Sequence, residues 1–265
     1  MSVGDRLPFP DVVLGFDDYD APAARLAAHL DVRYAKVAVH RFPDGESRVT
    51  VPSPLPARVA MCRSLDHPND KLVETILAAE AARQNGARSI SLIAPYLCYM
   101  RQDIAFNPGE AISQRIVGRW LADRFDAVVT VDPHLHRVAT LAEAVPAADA
   151  VALSAAALFG AYLQEREPDA LLVGPDEESA QWLAAATRDR PFETAVCRKL
   201  RRGDRDVSID IPNVALAGRS VVLVDDMAST GATLAVAARR CLERGAASVD
   251  VLVVHGLFVG DAVAD

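Results

Sequence analysis

The chain has 265 residues, 51% of them hydrophobic, with a formal net charge of −8 at pH 7 and four cysteines; that length fits one large or two small domains with a real core. The acidic balance, without a long Lys/Arg block, argues against nucleic acid as the main partner; no apolar run reaches the roughly 20 residues of a membrane helix, and the N-terminus lacks the basic-then-apolar order of a signal peptide. Cys62, Cys98, Cys197 and Cys241 are far apart with no CxxC, which reads as buried thiols in a reducing compartment, so a soluble cytoplasmic protein with no membrane association is expected.

In chain order, short β-rich runs alternate with Ala/Leu/Arg-rich helical ones. Tyr34–Val39 and Val59–Ser64 read as strands. Asp70–Asn85 reads as a helix whose Leu72, Val73, Ile76 and Leu77 form an apolar face at the 3.6 period, stopped by Gly86. Strand Ser89–Ala94, helix Ile112–Arg124 and strand Ala127–Val131 follow. The second half repeats the pattern: helix Ala155–Glu165, strand Ala170–Val173, helix Ser179–Ala186, strand Ser220–Val224, helix Thr233–Arg244 and strand Val249–Val254. This alternation predicts an α/β protein with mostly parallel sheets. VVTVD at Val128–Asp132 and VVLVD at Val221–Asp225 hint at duplication, and AVPAADA breaks the pattern near Pro146–Asp149. Two similar domains, 1–147 and 148–265, are expected, with ligands outside the carboxyl ends of the strands.

The motif richest in chemistry is VVLVDDMASTGAT, Val221–Thr233. Its small residues let backbone N–H groups approach a phosphate, the helix that follows adds its positive dipole end, and Ser229, Thr230 and Thr233 offer hydroxyl donors. Asp225 and Asp226 cannot bind phosphate directly, but they can hold ribose hydroxyls or reach phosphate through Mg²⁺. A helix cap alone would need one such residue, not the set. RFPDGESRV, Arg41–Val49, contains a common turn composition. Tyr99–Asp103 follows a strand and carries Arg101 and Gln102, which could grip a polyphosphate, although a solvated loop explains it as well. In VDPHLHR, His134 and His136 would share a face on a strand, but Pro133 ends one; zinc lacks further soft ligands, and a Mg²⁺–phosphate shell suits a single His with an Asp better. Gly174-Pro175-Asp176 follows the strand LLV as a plain turn would. RKLRRGDRD, Arg198–Asp206, is a basic run read as an exposed loop, either solvated or inviting an anion.

Together and in order, RFPDGE, HPNDKL, PY-x-x-Y-x-RQD, GEAIS, VDPH, GPD, K-x-R and VDDM-x-x-TG-x-T resemble the ribose-phosphate diphosphokinase (PRPP synthetase) family, from about Val37 to Asp261. VDDM-x-x-TG-x-T alone would place the chain only among phosphoribosyl-binding proteins; RFPDGE with RQD points to the kinase. The resemblance implies two phosphoribosyltransferase-type domains, an N-terminal ATP-side one and a C-terminal ribose 5-phosphate-binding one. It implies transfer of the β,γ-diphosphoryl group of ATP to the 1-hydroxyl of ribose 5-phosphate, giving PRPP and AMP. It assigns Phe42, Asp44, Gly45 and Glu46 to ATP, with Arg101 and Gln102, and His134 and Asp176 to Mg²⁺. Lys199 becomes the catalytic lysine of a mobile loop with Arg201 beside it. Asp225 and Asp226 hold the ribose hydroxyls, and Ser229, Thr230, Gly231, Ala232 and Thr233 wrap the 5-phosphate. A homo-oligomer, at least a dimer, is implied. Ala232 replaces a common glycine, and Glu177 and Glu178 follow Asp176 where small residues are usual; a non-catalytic binding relative and a phosphoribosyltransferase are the alternatives.

Overall fold

The computed structural model describes residues 9–201, 207–260 and 262, and only the backbone of residues 199–201, 207 and 208. The first eight residues, part of the stretch read for a targeting signal, lie outside the described residues, as does the 202–206 portion of the basic run. The chain divides into two compact units between Leu153 and Ser154. No described helix is long and apolar enough to cross a membrane.

The first unit contains β1 (Val12–Gly15), α1 (Asp20–His29), β2 (Arg33–Lys36), β3 (Ala38–Arg41), β4 (Ser47–Thr50), β5 (Arg58–Cys62), α2 (Pro68–Gln84), β6 (Ser89–Ala94), α3 (Ser113–Ala122), β7 (Ala127–Val131), α4 (Leu141–Ala144) and β8 (Asp149–Leu153). Six strands form one parallel sheet in the order β2-β1-β5-β6-β7-β8. β3 and β4 pair separately as an antiparallel hairpin, with Arg41 opposite Ser47. Val12, Val13 and Leu14 are fully buried, as expected for a strand inside a parallel sheet covered on both faces.

Helix α2 shows how the elements are built. Pro68 occupies its first turn, where the missing N–H costs nothing, and Asp70 favours the N-terminal dipole end. It ends at Gln84 with Asn85 as its C-cap, followed by Gly86 at φ +114°, a conformation that glycine adopts without strain. Its buried face is Leu72, Glu74, Thr75, Ala78, Ala79 and Ala82; the alanines let the helix approach the sheet closely. Val73 and Leu77, read from periodicity as part of an apolar face, are instead 57% and 42% exposed.

The second unit contains α5 (Ala156–Arg166), β9 (Leu171–Gly174), α6 (Ala180–Thr187), β10 (Thr194–Val196), β11 (Arg198–Arg201), β12 (Val207–Asp210), β13 (Ser220–Ala228), α7 (Ala232–Glu243) and β14 (Ser248–Gly256). Its sheet is parallel with order β10-β9-β13-β14, and β11 pairs antiparallel with β12. Both units are thus parallel sheets flanked by helices, the duplicated α/β architecture that the alternation predicts.

Several expectations are corrected. The division falls at 153/154 rather than 147/148, because residues 149–153 pair with β7 as the edge strand of the first sheet. The strand expected over Tyr34–Val39 is two strands broken at Val37, one in the sheet and one in the hairpin. The strand expected to end at Val224 runs to Ala228, since Asp225, Met227 and Ala228 continue the register with β14. The start of the basic run is not a loop: Arg198–Arg201 is β11, with Lys199 opposite Ile209.

Candidate functional site

In the second unit, the strand order reverses between β9 and β13, since β10 lies on the outer side of β9 and β14 on the outer side of β13. The carboxyl ends of strands at such a switch point form the crevice where open α/β sheets bind ligands. Asp176 lies two residues past the end of β9, and Asp225 and Asp226 lie near the end of β13. The Asp176 carboxylate caps the short turn at Glu177–Ser179, accepting from Glu178 N at 3.1 Å. Asp226 is 2% exposed, and its N–H donates to Asp225 Oδ1 at 3.0 Å. Burial, reinforced by the Asp226 and Asp176 carboxylates, holds the Asp225 carboxyl far above the usual carboxylate range. Negative charge concentrated there resists ionisation until something cationic, or a set of hydroxyl donors, neutralises or solvates it.

The turn after β13 is short. Gly231 sits at φ +72°, in the left-handed region where any side chain would be strained. That geometry lets α7 begin at Ala232, one residue earlier than its periodicity predicts. The helix runs for 12 residues, so its first-turn N–H groups and positive dipole end face the Ser229–Gly231 turn. Ser229 and Thr233 are half-buried, while Thr230 and Ala232 are exposed. Thr230 Oγ1 accepts from Ala232 N at 3.5 Å. The structure therefore brings the two acids, Asp176 and the small-residue turn together at one end of one sheet. It also carries Lys199 and Arg201 on β11, two residues past β10; their side chains lie outside the described residues.

In the first unit, the β3–β4 hairpin presents Phe42, Pro43, Asp44, Gly45 and Glu46 at its tip, all exposed. Phe42 N donates to Glu46 O at 2.8 Å, Gly45 at φ +93° closes the turn, and Asp44 Oδ1 accepts from Glu46 N at 3.1 Å. Phe42 is 40% exposed and packs edge-on against His40 at 4.8 Å between centroids. An exposed aromatic beside two carboxylates suits a planar, hydrogen-bonding ring.

Arg101 is exposed on the loop after β6, whereas Gln102 is half-buried and accepts from Ser113 Oγ at 2.9 Å. The next residue was not singled out by sequence reasoning, yet it organises the loop. Asp103 is 4% exposed and accepts from Arg137 N at 3.1 Å and from an Arg137 guanidinium nitrogen at 2.8 Å. The loop bearing Arg101 is thereby tied to the loop bearing His134. There β7 ends at Val131, Asp132 takes φ +37°, and the Nε2 atoms of His134 and His136 stand 2.6 Å apart. The two rings do come together, but through a loop rather than along a strand face. His134 belongs to the first unit and Asp176 to the second.

All four cysteines are buried and free. Burial pushes the Cys62, Cys98 and Cys197 thiols up to about 12, which makes them poor nucleophiles and leaves the chemistry to the loops above.

A parallel sheet ending in two acids, a tight small-residue turn and a helix N-terminus defines a protein of the phosphoribosyl-binding α/β class. The match to known proteins is narrower. Residues 12–123 match the N-terminal domain of ribose phosphate pyrophosphokinase, and residues 141–258 match the phosphoribosyl transferase domain. The chain is 39% identical to the ribose-phosphate pyrophosphokinase of Methanopyrus kandleri over 242 residues, covering 90% of this chain and 81% of that one. It is 35% identical to the Halobacterium salinarum enzyme, covering 91% and 84%, and 30% identical to that of Saccharolobus solfataricus, covering 95% and 87%. The fold is similar to the crystal structure of phosphoribosylpyrophosphate synthetase from Mycobacterium smegmatis, with a TM-score of 0.79 at 24% identity, covering 95% and 83%. The chain belongs to the ribose-phosphate pyrophosphokinase family.

Proposed function

We propose that this protein transfers the β,γ-diphosphoryl group of ATP to the 1-hydroxyl of ribose 5-phosphate, releasing AMP and PRPP. The observation that carries this reading is that both halves of the reaction have a furnished place. The hairpin tip and Arg101 loop supply an exposed aromatic ring, carboxylates and a cation suited to a nucleotide. The Asp225–Thr233 segment supplies hydroxyl acceptors beside a phosphate cradle. A phosphoribosyltransferase would need only the second, which makes that alternative the weaker one.

In this reading Phe42 stacks on adenine, with Asp44, Gly45 and Glu46 accepting or donating around its edge. Arg101 and Gln102 hold the polyphosphate. Asp225 and Asp226 accept from the ribose 2- and 3-hydroxyls, and Ser229, Thr230, Gly231, Ala232 and Thr233 enclose the 5-phosphate with N–H and O–H donors. The 1-hydroxyl oxygen attacks the β-phosphorus, the bond from that phosphorus to the α–β bridging oxygen breaks, and the hydroxyl proton leaves to solvent. Lys199 and Arg201 neutralise charge spread over the moving diphosphoryl group; such electrostatic help is commonly worth about 3 kcal/mol per group. Exposure of Ala232 leaves its methyl at the rim of the turn, so it need not displace the phosphate.

The carboxylates Asp176, Asp225 and Asp226 are hard oxygen donors, and the raised titration of Asp225 is what a cation would relieve, so this set fits Mg²⁺. Mg²⁺ supplies charge neutralisation of the polyphosphate. A homo-oligomer and a cytoplasmic setting complete the reading. The test is PRPP formation by wild type and by Lys199→Ala: a loss of roughly 100-fold or more in kcat is expected. Equal rates for the two proteins would reject the role of Lys199.

A further inference from the structure

The hairpin tip is exposed throughout, and a cavity of about 400 Å³ lies between it and α2, lined by Gly45, Glu46, Ser47, Asp70, Val73 and Leu77. A tip so little packed needs something to set its orientation. Directly beneath it lies Glu74 of α2, 1% exposed. Its Oε1 accepts from Arg41 Nε at 3.0 Å and from Ser47 Oγ at 3.2 Å. Arg41 is the last residue of β3 and Ser47 the first of β4, so one carboxylate oxygen clasps both stems where they meet the tip.

The other oxygen faces inward. Oε2 accepts from Arg63 at 2.6 Å. Arg63 is 2% exposed, donates to Asp18 at 3.0 to 3.2 Å and to Lys71 O at 3.3 Å, and lies over the Phe16 ring at 4.2 Å. Burial favours the neutral acid at Glu74, but the bonds from Arg63 and Arg41 outweigh it and hold the carboxyl below its ordinary range. Glu74 is therefore anionic at neutral pH, paired with the equally buried Arg63, in a chain that reaches the surface at Asp18 on one side and at the hairpin through Arg41 on the other.

We propose that Glu74 is a positioning residue for the nucleotide: by clasping Arg41 and Ser47 it sets the orientation in which Phe42, Asp44 and Glu46 meet the base. This rests on the reading of the tip as a nucleotide contact. Glu74 acts through Arg41 and Ser47 and touches no substrate itself.

The test uses full-length protein carrying Arg41→Ala with Ser47→Ala, which removes both stem donors and leaves the buried Arg63–Glu74 pair intact, and separately Glu74→Gln. Amide exchange should rise about tenfold or more at residues 42–50 while β1, β5 and β6 stay protected. KM for ATP should rise at least ~5-fold, with KM for ribose 5-phosphate within about twofold. Unchanged exchange in the hairpin, or faster exchange with an unaltered KM for ATP, would overturn the proposal. Wild-type protein that forms no PRPP would overturn the reaction but not the clasp, which hairpin exchange and ATP affinity by calorimetry would still decide. Wild type that binds no ATP would overturn both.

Discussion

Asp225→Asn is expected to stabilise the fold while abolishing PRPP formation, a pairing that an ordinary structural carboxylate would not produce. In the folded protein, burial and the facing Asp226 and Asp176 carboxylates push the Asp225 carboxyl up to about 8, whereas in the unfolded chain it ionises in the ordinary carboxylate range. A raised acid favours folding fully only below the unfolded pKa, and that contribution is lost as pH climbs toward the folded one. At neutral pH the folded state must therefore retain a proton or bear a desolvated charge. Each unit of displacement is worth about 1.4 kcal/mol. Asp225 keeps partial solvent access, so we place the penalty at roughly 1–3 kcal/mol at pH 7.5. Asparagine is neutral at every pH, can keep the Asp226 N–H bond, and removes the penalty. Thermal melts of both proteins in EDTA between pH 4.5 and 8.5 read the effect directly. The variant should melt about 3–8 °C higher at pH 7.5, with the gap shrinking toward acid pH. Mg²⁺ should raise the wild-type midpoint more than the variant's. A variant less stable than wild type at pH 7.5, or a gap independent of pH, would refute the electrostatic account of this pair.

Two further predictions concern packing. A Cβ at Gly118 would overlap the Ala144 carbonyl oxygen and reach its carbon at 2.9 Å, both backbone atoms that cannot swing away. Gly118→Ala should cost about 1–3 kcal/mol by forcing α3 off α4, and denaturant melts showing a loss below about 0.5 kcal/mol would contradict the close approach. Thr75 Oγ1 is buried with no hydrogen-bond partner among the described residues. Thr75→Val should be neutral or stabilise by about 1 kcal/mol, and a clear destabilisation would mean that the hydroxyl is satisfied.

The architecture was legible because strand and helix periods alternate cleanly, and buried parallel strands such as VVLV and SLIA announce themselves by apolar runs. The tight turn after β13 was legible because few folds need so many small and hydroxylated residues in succession. What was missed follows one physical pattern: polar residues whose place is set by distant partners. Asp225 and Asp226 look like the start of a loop yet lie inside β13, where Asp225 pairs with Val253 of β14. Residues 198–201 look like a solvated charge run yet pair with β12. Pro146 made the following segment resemble a linker, although 149–153 completes the first sheet. Glu74 and Asp103 are charged and buried, which composition disfavours, and only their arginine partners, Arg63, Arg41 and Arg137, explain them. The RQD triplet pointed to its loop without disclosing that Asp103 fastens that loop to the one bearing Arg137.

The most direct test of the central claim is to resolve the products formed from ATP, ribose 5-phosphate and Mg²⁺ by phosphorus NMR. Diphosphoryl transfer predicts AMP and PRPP appearing in equal amounts, with no ADP. ADP accumulating with a singly phosphorylated product, or ATP left unconsumed, would contradict it.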